Sequence, residues 1–164
     1  MKSFSGGVIA PDTTWYDDSD TYILYNAADL YGFSKLSQDK DNNFEGKTVQ
    51  LGADIVVNEG DAENWAESVP YYSWMPIGQK TAFKGIFDGA DPKDADVIHS
   101  ISGLYFETST QNSGLFGQID GTDASIQNLK LTNSYFETSA NNIGSIVGSA
   151  KSTPYTKKRS KGEL

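Results

Sequence analysis

The chain of 164 residues contains no cysteine and a single histidine, His99. The lack of cysteine excludes disulfide bonds and cysteine-based zinc sites, and one histidine leaves little basis for histidine-based metal or triad chemistry. No apolar run approaches the ~18 residues of a membrane span. The first residues, MKSFSGGVIA, lack the long apolar stretch of a signal peptide, so for an exported protein we expect the targeting signal to lie outside this chain.

The negative charge is unevenly distributed. The formal net charge of −9 divides into +4 for residues 151–164 and −13 for residues 1–150. A body this acidic repels nucleic acid and anionic lipid, so we expect neither a nucleic-acid partner nor membrane insertion. The last residues, KSTPYTKKRSKGEL, lack apolar periodicity and predict a basic disordered tail at 151–164. With a flexible N-terminus at 1–11, one domain remains at 12–150.

The apolar periodicity changes along this domain. After the β-rich run TYILY at 21–25, Asn26 precedes apolar residues at helical spacing, which predicts one amphipathic helix at about 26–37. Beyond it the period is two. A strand is predicted at 47–57, where Val49, Leu51, Ala53 and Ile55 alternate, and Phe83 and Phe87 share one face of the segment 83–89. Short β segments separated by Gly, Asn and Ser follow from 97 to about 150.

The pentapeptide YFETS occurs twice in that last region, at 105–109 and at 135–139, and each copy is followed by Asn and Gly two residues apart. A period near 30 residues that contains several short strands is typical of a parallel β-solenoid, whose coils bury their apolar faces on one another. Phe106 would then stack on Phe136, Thr108 on Thr138 and Asn112 on Asn142. Two similar hairpins in a β-sandwich are the alternative. The fold class predicted is all-β, a right-handed parallel β-helix or solenoid with one N-terminal capping helix.

A set of short motifs carries a resemblance to a known family. The motifs are Trp15, NAADLYGFSKL, NFEGKTVQLGADI, WMPIG at 74–78, FKGIFDG at 83–89, SGLFG at 113–117 and IGSIVG at 143–148. As a set they resemble the N-terminal part of bacterial surface and adhesin-like proteins with GLUG-type repeats, which also accompany IgA-specific metalloproteases. The resemblance covers residues 12–150 and implies a secreted or cell-surface protein with a right-handed β-helix-like repeat domain. It supplies no catalytic residues. Because such proteins are much longer, we expect the native protein to continue into further coils beyond Leu164.

An enzymatic role has one candidate pair, Glu107 and Glu137, which occupy equivalent repeat positions. In a stack they would approach the ~5–5.5 Å separation of a retaining glycosidase pair. If Phe106 and Phe136 point inward, however, alternation places both carboxylates on the solvent face. Common hydrolase, metalloprotease and nucleotide-binding motifs are absent from the sequence. We therefore expect no catalytic residues and no cofactor.

Calcium has a weak candidate in residues Asp39 to Glu45, where oxygen donors alternate. An EF-hand loop needs Gly at its sixth position and Glu at its twelfth, where this chain has Phe44 and Gln50. We interpret 39–45 as a solvated turn and 17–20 as a charged loop, and expect no metal site.

The segment 58–78 is the longest interruption between predicted strands and concentrates aromatic residues among carboxylates. Aromatic rings stack on sugar faces while carboxylates accept hydroxyl hydrogen bonds, so Trp65, Tyr71 and Tyr72 are the candidate ligand-binding residues. The alternative is that Trp65 fixes a short helix onto the coil, and Trp74 is assigned to the core. We expect a non-catalytic interaction or scaffold module of a larger bacterial surface protein, with glycan or host protein as partner; the alternative is a fragment of a β-helical carbohydrate-active enzyme.

Overall fold

The computed structural model describes residues 7–151, which form eleven short β-strands and one α-helix. The chain begins with β1 (Thr21–Leu24) and α1 (Ala27–Ser37), followed by β2 (Thr48–Leu51), β3 (Ile55–Val56) and a single 3-10 turn (Ala62–Asn64). The remaining strands are β4 (Ile86–Asp88), β5 (Ser100–Ser102), β6 (Tyr105–Thr108), β7 (Phe116–Asp120), β8 (Ser125–Gln127), β9 (Lys130–Thr132), β10 (Tyr135–Thr138) and β11 (Val147–Lys151). The fold is therefore strand-rich, as predicted.

Four small sheets collect these strands, and each pairing within them is parallel. The orders are β1-β2-β4-β8, β3-β5-β9, β6-β10 and β7-β11. Neighbours in a sheet are thus separated by long stretches of chain rather than by tight turns, because parallel strands need a crossover connection. An isolated antiparallel bridge joins Ala90 to Ile98 and closes the loop between β4 and β5.

The predicted helix at 26–37 is confirmed as α1. The Asn26 side chain accepts a hydrogen bond from the Asp29 backbone N–H at 2.9 Å, and the Asp29 carboxylate accepts one from the Tyr25 N–H at 2.9 Å. This reciprocal capping satisfies donors that the first helical turn leaves open. The helix buries Leu30 and Phe33 completely.

Polar residues of α1 attach it to the segment that precedes β4. The Tyr31 hydroxyl donates to the Ser73 carbonyl at 2.7 Å, and the Ser34 hydroxyl donates to the Met75 carbonyl at 2.6 Å. One turn later, the Gln38 amide donates to the Pro76 carbonyl at 2.8 Å. These bonds satisfy backbone carbonyls of residues 73, 75 and 76.

The core is aromatic where the helix meets the strands. Phe33 contacts four other phenylalanine rings, with centroids 5.0–6.2 Å apart: Phe44, Phe83, Phe87 and Phe116. All five are at most 2% exposed. Burial of Phe83 and Phe87 together confirms that they share one face. Rings of this size contribute most of the apolar area that stabilises a small core.

The prediction of one continuous strand at 47–57 is wrong, because this stretch forms two separate strands, β2 and β3. The chain bends at 52–54, so that β2 and β3 lie in different sheets. A Cβ atom at Gly52 would lie 2.4 Å from the Tyr25 ring, and the Asp54 carboxylate accepts a hydrogen bond from the Ser100 N–H at 2.9 Å. A close ring approach and a side-chain hydrogen bond to β5 thus replace the strand ladder at the bend.

The two YFET copies pair in parallel and in register, as β6 and β10. Tyr105, Phe106, Glu107 and Thr108 lie beside their own counterparts thirty residues later. The Tyr105 and Tyr135 rings stack at 5.6 Å with an interplanar angle of 12°. The predicted stacking of Phe106 on Phe136 and of Thr108 on Thr138 is confirmed, and the hairpin-pair arrangement is not what the chain adopts.

The shared Asn and Gly after each copy also have a structural reason. Asn112 and Asn142 adopt left-handed backbone conformations, φ 57° and 61°, which asparagine tolerates better than most residues. Their side chains form a ladder, the Asn142 amide donating to the Asn112 carbonyl oxygen at 3.1 Å. Gly114 faces Gly144 so closely that a Cβ at Gly114 would lie 2.3 Å from the Gly144 carbonyl oxygen.

The ends of the predicted domain can be followed only in part. Gly7, within the predicted flexible N-terminus at 1–11, forms a parallel bridge with Tyr72, and Lys151 is the last residue of β11. Residues 1–6, and residues 152–164 of the disordered tail predicted at 151–164, lie outside the described residues. Between 7 and 151, no helix is long and apolar enough to cross a membrane.

Candidate binding surface

The segment 58–78 lies against the repeat strands. The Asn133 side chain donates to the Gly60 carbonyl at 2.7 Å and accepts from the Ala62 N–H at 2.9 Å, which attaches the start of the segment to the turn between β9 and β10. Further along, the Trp74 N–H donates to the Tyr105 carbonyl at 2.8 Å. The segment is thus fixed to the body of the protein at both ends.

Trp65, one of the three candidate ligand residues, packs inward. The Asp61 side chain caps the 3-10 turn by accepting from the Glu63 N–H, and Trp65 follows directly after the turn. Its ring is 4% exposed and meets the Tyr105 ring edge-to-face at 6.4 Å. Trp65 therefore covers a repeat tyrosine and leaves little ring face on which a sugar could stack, which matches the alternative of a residue that fixes a short helical turn.

Tyr71 and Tyr72 form the exposed aromatic part of the segment. Tyr71 is 69% exposed, the most exposed aromatic side chain among residues 7–151, and Tyr72 is half-buried. Their rings meet edge-to-face, with centroids 5.0 Å apart at 84°. The Tyr71 ring also lies over Gly7, where a Cβ atom would be only 2.3 Å from ring carbon Cε1. Glycine at position 7 therefore lets the ring rest on the backbone.

Asn58 fixes the backbone beneath this tyrosine pair. Its side-chain amide donates to the carbonyls of Tyr72 and Gly103, at 2.8 and 2.9 Å, and its side-chain oxygen accepts from the Tyr72 N–H at 3.0 Å. Asn58 is 5% exposed. Its role was missed from the sequence, where the only signal is a polar residue that directly follows the apolar run Ile55-Val56-Val57.

Backbone hydrogen bonds complete the support. The Gly7 N–H donates to the Tyr71 carbonyl at 3.2 Å, and the Ser73 N–H donates to the Gly7 carbonyl at 2.9 Å. Tyr71 is therefore an exposed ring on a backbone that is held from two sides. We call Tyr71, Tyr72 and the supporting Asn58 the tyrosine surface.

Trp74 belongs to the core, as predicted. It is 4% exposed, its ring meets Tyr31 edge-to-face at 5.4 Å, and its indole N–H donates to the Leu115 carbonyl at 3.3 Å. Of the four aromatic residues in the segment, two point inward and two form the tyrosine surface.

Carboxylates lie between Asn58 and Tyr71 in the sequence. Four of them lie in the same segment and are all exposed: Glu59, Asp61, Glu63 and Glu67. Exposed carboxylates accept hydrogen bonds from hydroxyl groups of a ligand, and the ring of Tyr71 offers an apolar face.

Glu107 and Glu137 are both exposed, as alternation predicts if the phenylalanines point inward. Each is held by the tyrosine two positions earlier: the Tyr105 hydroxyl donates to Glu107 at 3.2 Å, and the Tyr135 hydroxyl donates to Glu137 at 2.5 Å. An open groove of about 370 Å³ runs along the second half of both repeat strands, lined by Glu107, Thr108, Ser109, Glu137, Thr138 and Ser139. Both carboxylates therefore lie on an open groove and not in an enclosed pocket.

The acidic turns use their side chains on their own backbone. Asp39 accepts a hydrogen bond from the Asp41 N–H at 3.0 Å, Asn43 accepts one from the Glu45 N–H at 2.9 Å, and Asp17 accepts one from the Ser19 N–H at 2.8 Å. Phe44 takes the left-handed conformation at φ 60°, where an EF-hand has glycine, and its ring is buried. Within residues 7–151, no group of three or more His, Cys, Asp or Glu residues is placed to hold a metal ion.

Comparison of the chain with protein-family models, with curated protein sequences and with solved structures finds no match.

Proposed function

We propose that this chain is a non-catalytic recognition module of a secreted or cell-surface bacterial protein, built as a right-handed parallel β-solenoid, and that its tyrosine surface takes a neutral glycan. The observation that carries the proposal is the Tyr71 ring, 69% exposed on a backbone fixed by Asn58 and Gly7. The bacterial surface location rests on the resemblance to proteins with GLUG-type repeats.

The strand order supports the solenoid. Each sheet takes its strands from successive stretches of the chain, and the step from β6 to β10 and from β5 to β9 is thirty residues in each case. A coil of this length that repeats its side chains in register is the unit of a solenoid. Identical residues then form ladders on its surface, as Asn112 and Asn142 do.

Preorganisation supports recognition by the tyrosine surface. A tyrosine has only two side-chain torsions, and here its backbone is already ordered, so little conformational entropy remains to be lost on binding. An exposed ring also gains apolar contact area when a sugar ring stacks on it. The four exposed carboxylates of the segment 58–78 suit hydroxyl groups and repel anions, which favours a neutral glycan over an acidic one.

The scaffold part of the proposal rests on the same ladders. A stack of parallel coils holds surface side chains at fixed spacing of roughly 4.8 Å between coils. Such a surface is rigid and extended, which suits adhesion or the spacing of other domains. Glu107 and Glu137 fit this role as exposed members of a ladder, each oriented by its neighbouring tyrosine.

The experiment is a glycan-array screen of the purified protein, followed by titration calorimetry on any glycan that binds. Tyr71→Ala should reduce affinity about five- to thirtyfold, since stacking on one ring contributes on the order of 1–2 kcal/mol. Tyr25→Ala is the matched control, because Tyr25 is also an exposed tyrosine, 53% accessible, and belongs to another part of the chain. Binding that both variants retain would contradict the assignment of the tyrosine surface.

The non-catalytic part is tested on the same glycan. Incubation of the bound oligosaccharide with the wild-type protein should release no shorter product over days, as followed by mass spectrometry. Release of product that the variant Glu107→Gln with Glu137→Gln abolishes would establish the enzyme alternative instead.

A further inference from the structure

The single histidine of the chain lies between two aspartates from different coils. The His99 Nε2 atom is 2.8 Å from an Asp91 carboxylate oxygen, and Nδ1 is 3.2 Å from an Asp54 carboxylate oxygen. Asp54 occupies the bend between β2 and β3, whereas Asp91 begins the loop between β4 and β5. The imidazole is 14% exposed. Both ring nitrogens thus face carboxylates across a junction between two coils.

Each aspartate also accepts hydrogen bonds from backbone N–H groups. Asp91 accepts hydrogen bonds from the N–H groups of Lys93 and Asp94, at 2.8 and 3.2 Å, which order the first turn of the loop 91–97. Asp54 accepts one from the Ser100 N–H at 2.9 Å. The imidazole therefore connects the carboxylate that orders a loop with the carboxylate that fixes the bend of the preceding coil.

We propose that His99 with Asp54 and Asp91 is a pH-sensitive clamp that ties the loop 91–97 to the 52–54 bend in mildly acidic solution and holds it less tightly as the pH rises. The reason is the number of ring protons. A protonated imidazole donates from both nitrogens, one to each carboxylate. A neutral imidazole keeps one proton, so one nitrogen then directs a lone pair at a carboxylate oxygen.

Neutral His99 keeps its proton on Nε2. The contact with Asp91 is the shorter one, and Asp91 is the less exposed of the two carboxylates, at 21% against 66%. Deprotonation therefore breaks the Nδ1 contact with Asp54. Asp54 retains its bond to the Ser100 N–H, so the 52–54 bend persists, and the loop is then held to it only through the Asp91 contact of the neutral imidazole.

Further charges are placed around this group. Lys130 of β9 acts on Asp54, and the loop itself carries three more charged residues: Lys93, Asp94 and Asp96. Hydrogen bonding to Asp91 is the largest cause that raises the pKa of His99 above its ordinary value. The same partners lower the pKa values of the aspartates: the Ser100 N–H is the main cause at Asp54, and His99 is the main cause at Asp91.

The directions of these pKa shifts define the pH range in which the clamp is strongest. Because the folded pKa of His99 is raised, its contribution to stability is complete below the unfolded value of about 6.5 and is lost as the pH rises through the folded value. Because the aspartate pKa values are lowered, their contribution is complete above about 3.9 and is lost as the pH falls through their folded values. The clamp is therefore strongest between about pH 4 and pH 6.5.

Solution NMR tests the clamp directly, because the chain has only one imidazole to observe once any affinity tag is removed. We expect a His99 pKa above ~6.5 and a neutral form that carries its proton on Nε2. Hydrogen exchange of residues 91–97, corrected for the intrinsic effect of pH, should show about tenfold more opening at pH 8.5 than at pH 5.5 for each unit of the pKa rise. A His99 pKa at or below 6.5, or equal opening at both pH values, would overturn the proposal.

Two variants separate the clamp from general effects of pH. In Asp54→Asn the amide oxygen can still accept from the Ser100 N–H, so the fold is kept, while the pKa of His99 should fall towards 6.5. In His99→Gln the loop should open equally at pH 5.5 and pH 8.5. An unchanged pKa of His99 in Asp54→Asn would contradict a role for Asp54. This test does not depend on His99→Gln, so it holds even if that variant fails to fold.

Discussion

The Phe106 ring lies parallel to the Phe136 ring, with centroids 4.5 Å apart and planes inclined by 17°. The two residues are thirty positions apart in the chain and directly paired across β6 and β10. Phe106 is 4% exposed, whereas Phe136 is half-buried. The stack therefore joins the core to β10, and its energy can be measured by mutation.

Phe106→Ala should destabilise the protein by about 3–5 kcal/mol, because it leaves a cavity beside β10. Phe136→Ala should cost less, since that ring is half-buried. Urea unfolding of both single variants and the double variant should give a coupling energy of about 0.5–1.5 kcal/mol, as expected for an aromatic pair. The control pair is Phe106→Ala with Val97→Ala in the exposed loop 91–97, whose effects should add. Additive effects for the two phenylalanines would mean that their stacking contributes nothing.

The free energy of unfolding of Trp65 variants tests whether Trp65 is a packing residue or a ligand residue. Its burial against Tyr105 predicts that Trp65→Ala costs about 3–5 kcal/mol in the free energy of unfolding, while Trp65→Phe, which keeps an aromatic ring there, costs less. The measurement is urea unfolding followed by circular dichroism. A Trp65→Ala variant as stable as the wild type, but unable to bind a glycan that the wild type binds, would return Trp65 to the candidate ligand residues.

Metal removal should leave stability unchanged. Side-chain oxygens in the acidic turns accept hydrogen bonds from N–H groups of their own turns, as in Asp39, Asn43 and Asp17. This arrangement is poor geometry for calcium, which takes 6–8 oxygen ligands. The melting temperature in EDTA should therefore equal that in calcium chloride. A different result would locate a calcium site in the turn 39–45: the melting temperature of the wild type falls by several degrees in EDTA and calcium restores it, whereas the melting temperature of Asp39→Asn does not respond to EDTA or calcium.

The sequence was sufficient where local chemistry and repetition agree. Asn26 followed by Asp29 and helically spaced apolar residues predicted α1 closely, because the capping and the buried face are both local properties. An identical pentapeptide thirty residues apart predicted the register of β6 and β10, because residues stacked in parallel pack best on copies of themselves. Asn112 and Asn142 followed from the same repetition.

Other features depend on contacts that no local pattern reveals. The burial of Trp65 is decided by Tyr105, forty positions away, and a loop tryptophan among carboxylates looks the same in sequence whether it binds sugar or packs inward. The bend at 52–54 depends on the Tyr25 ring and on Ser100. His99 looked isolated, because Asp54 and Asp91 contact it only in the folded chain.

The repeat register is the central claim, because both the solenoid and the ladders on its surface depend on it. A chain without cysteine allows a direct test by disulfide trapping. Thr108 and Thr138 are register partners, and adjacent strands bring Cα atoms to roughly 4.8 Å, within the 4.4–6.8 Å that a disulfide spans. Thr132 serves as the control position, because it lies in β9 and pairs with Ser102 instead.

The measurement is the fraction of monomeric protein that forms an internal disulfide under mild oxidation, read by mass spectrometry after alkylation of free thiols. Thr108→Cys with Thr138→Cys should oxidise almost completely as a monomer and melt at a higher temperature than its reduced form. Thr108→Cys with Thr132→Cys should keep both thiols free. Free thiols in the first variant, or equal oxidation of both, would contradict the parallel in-register stack.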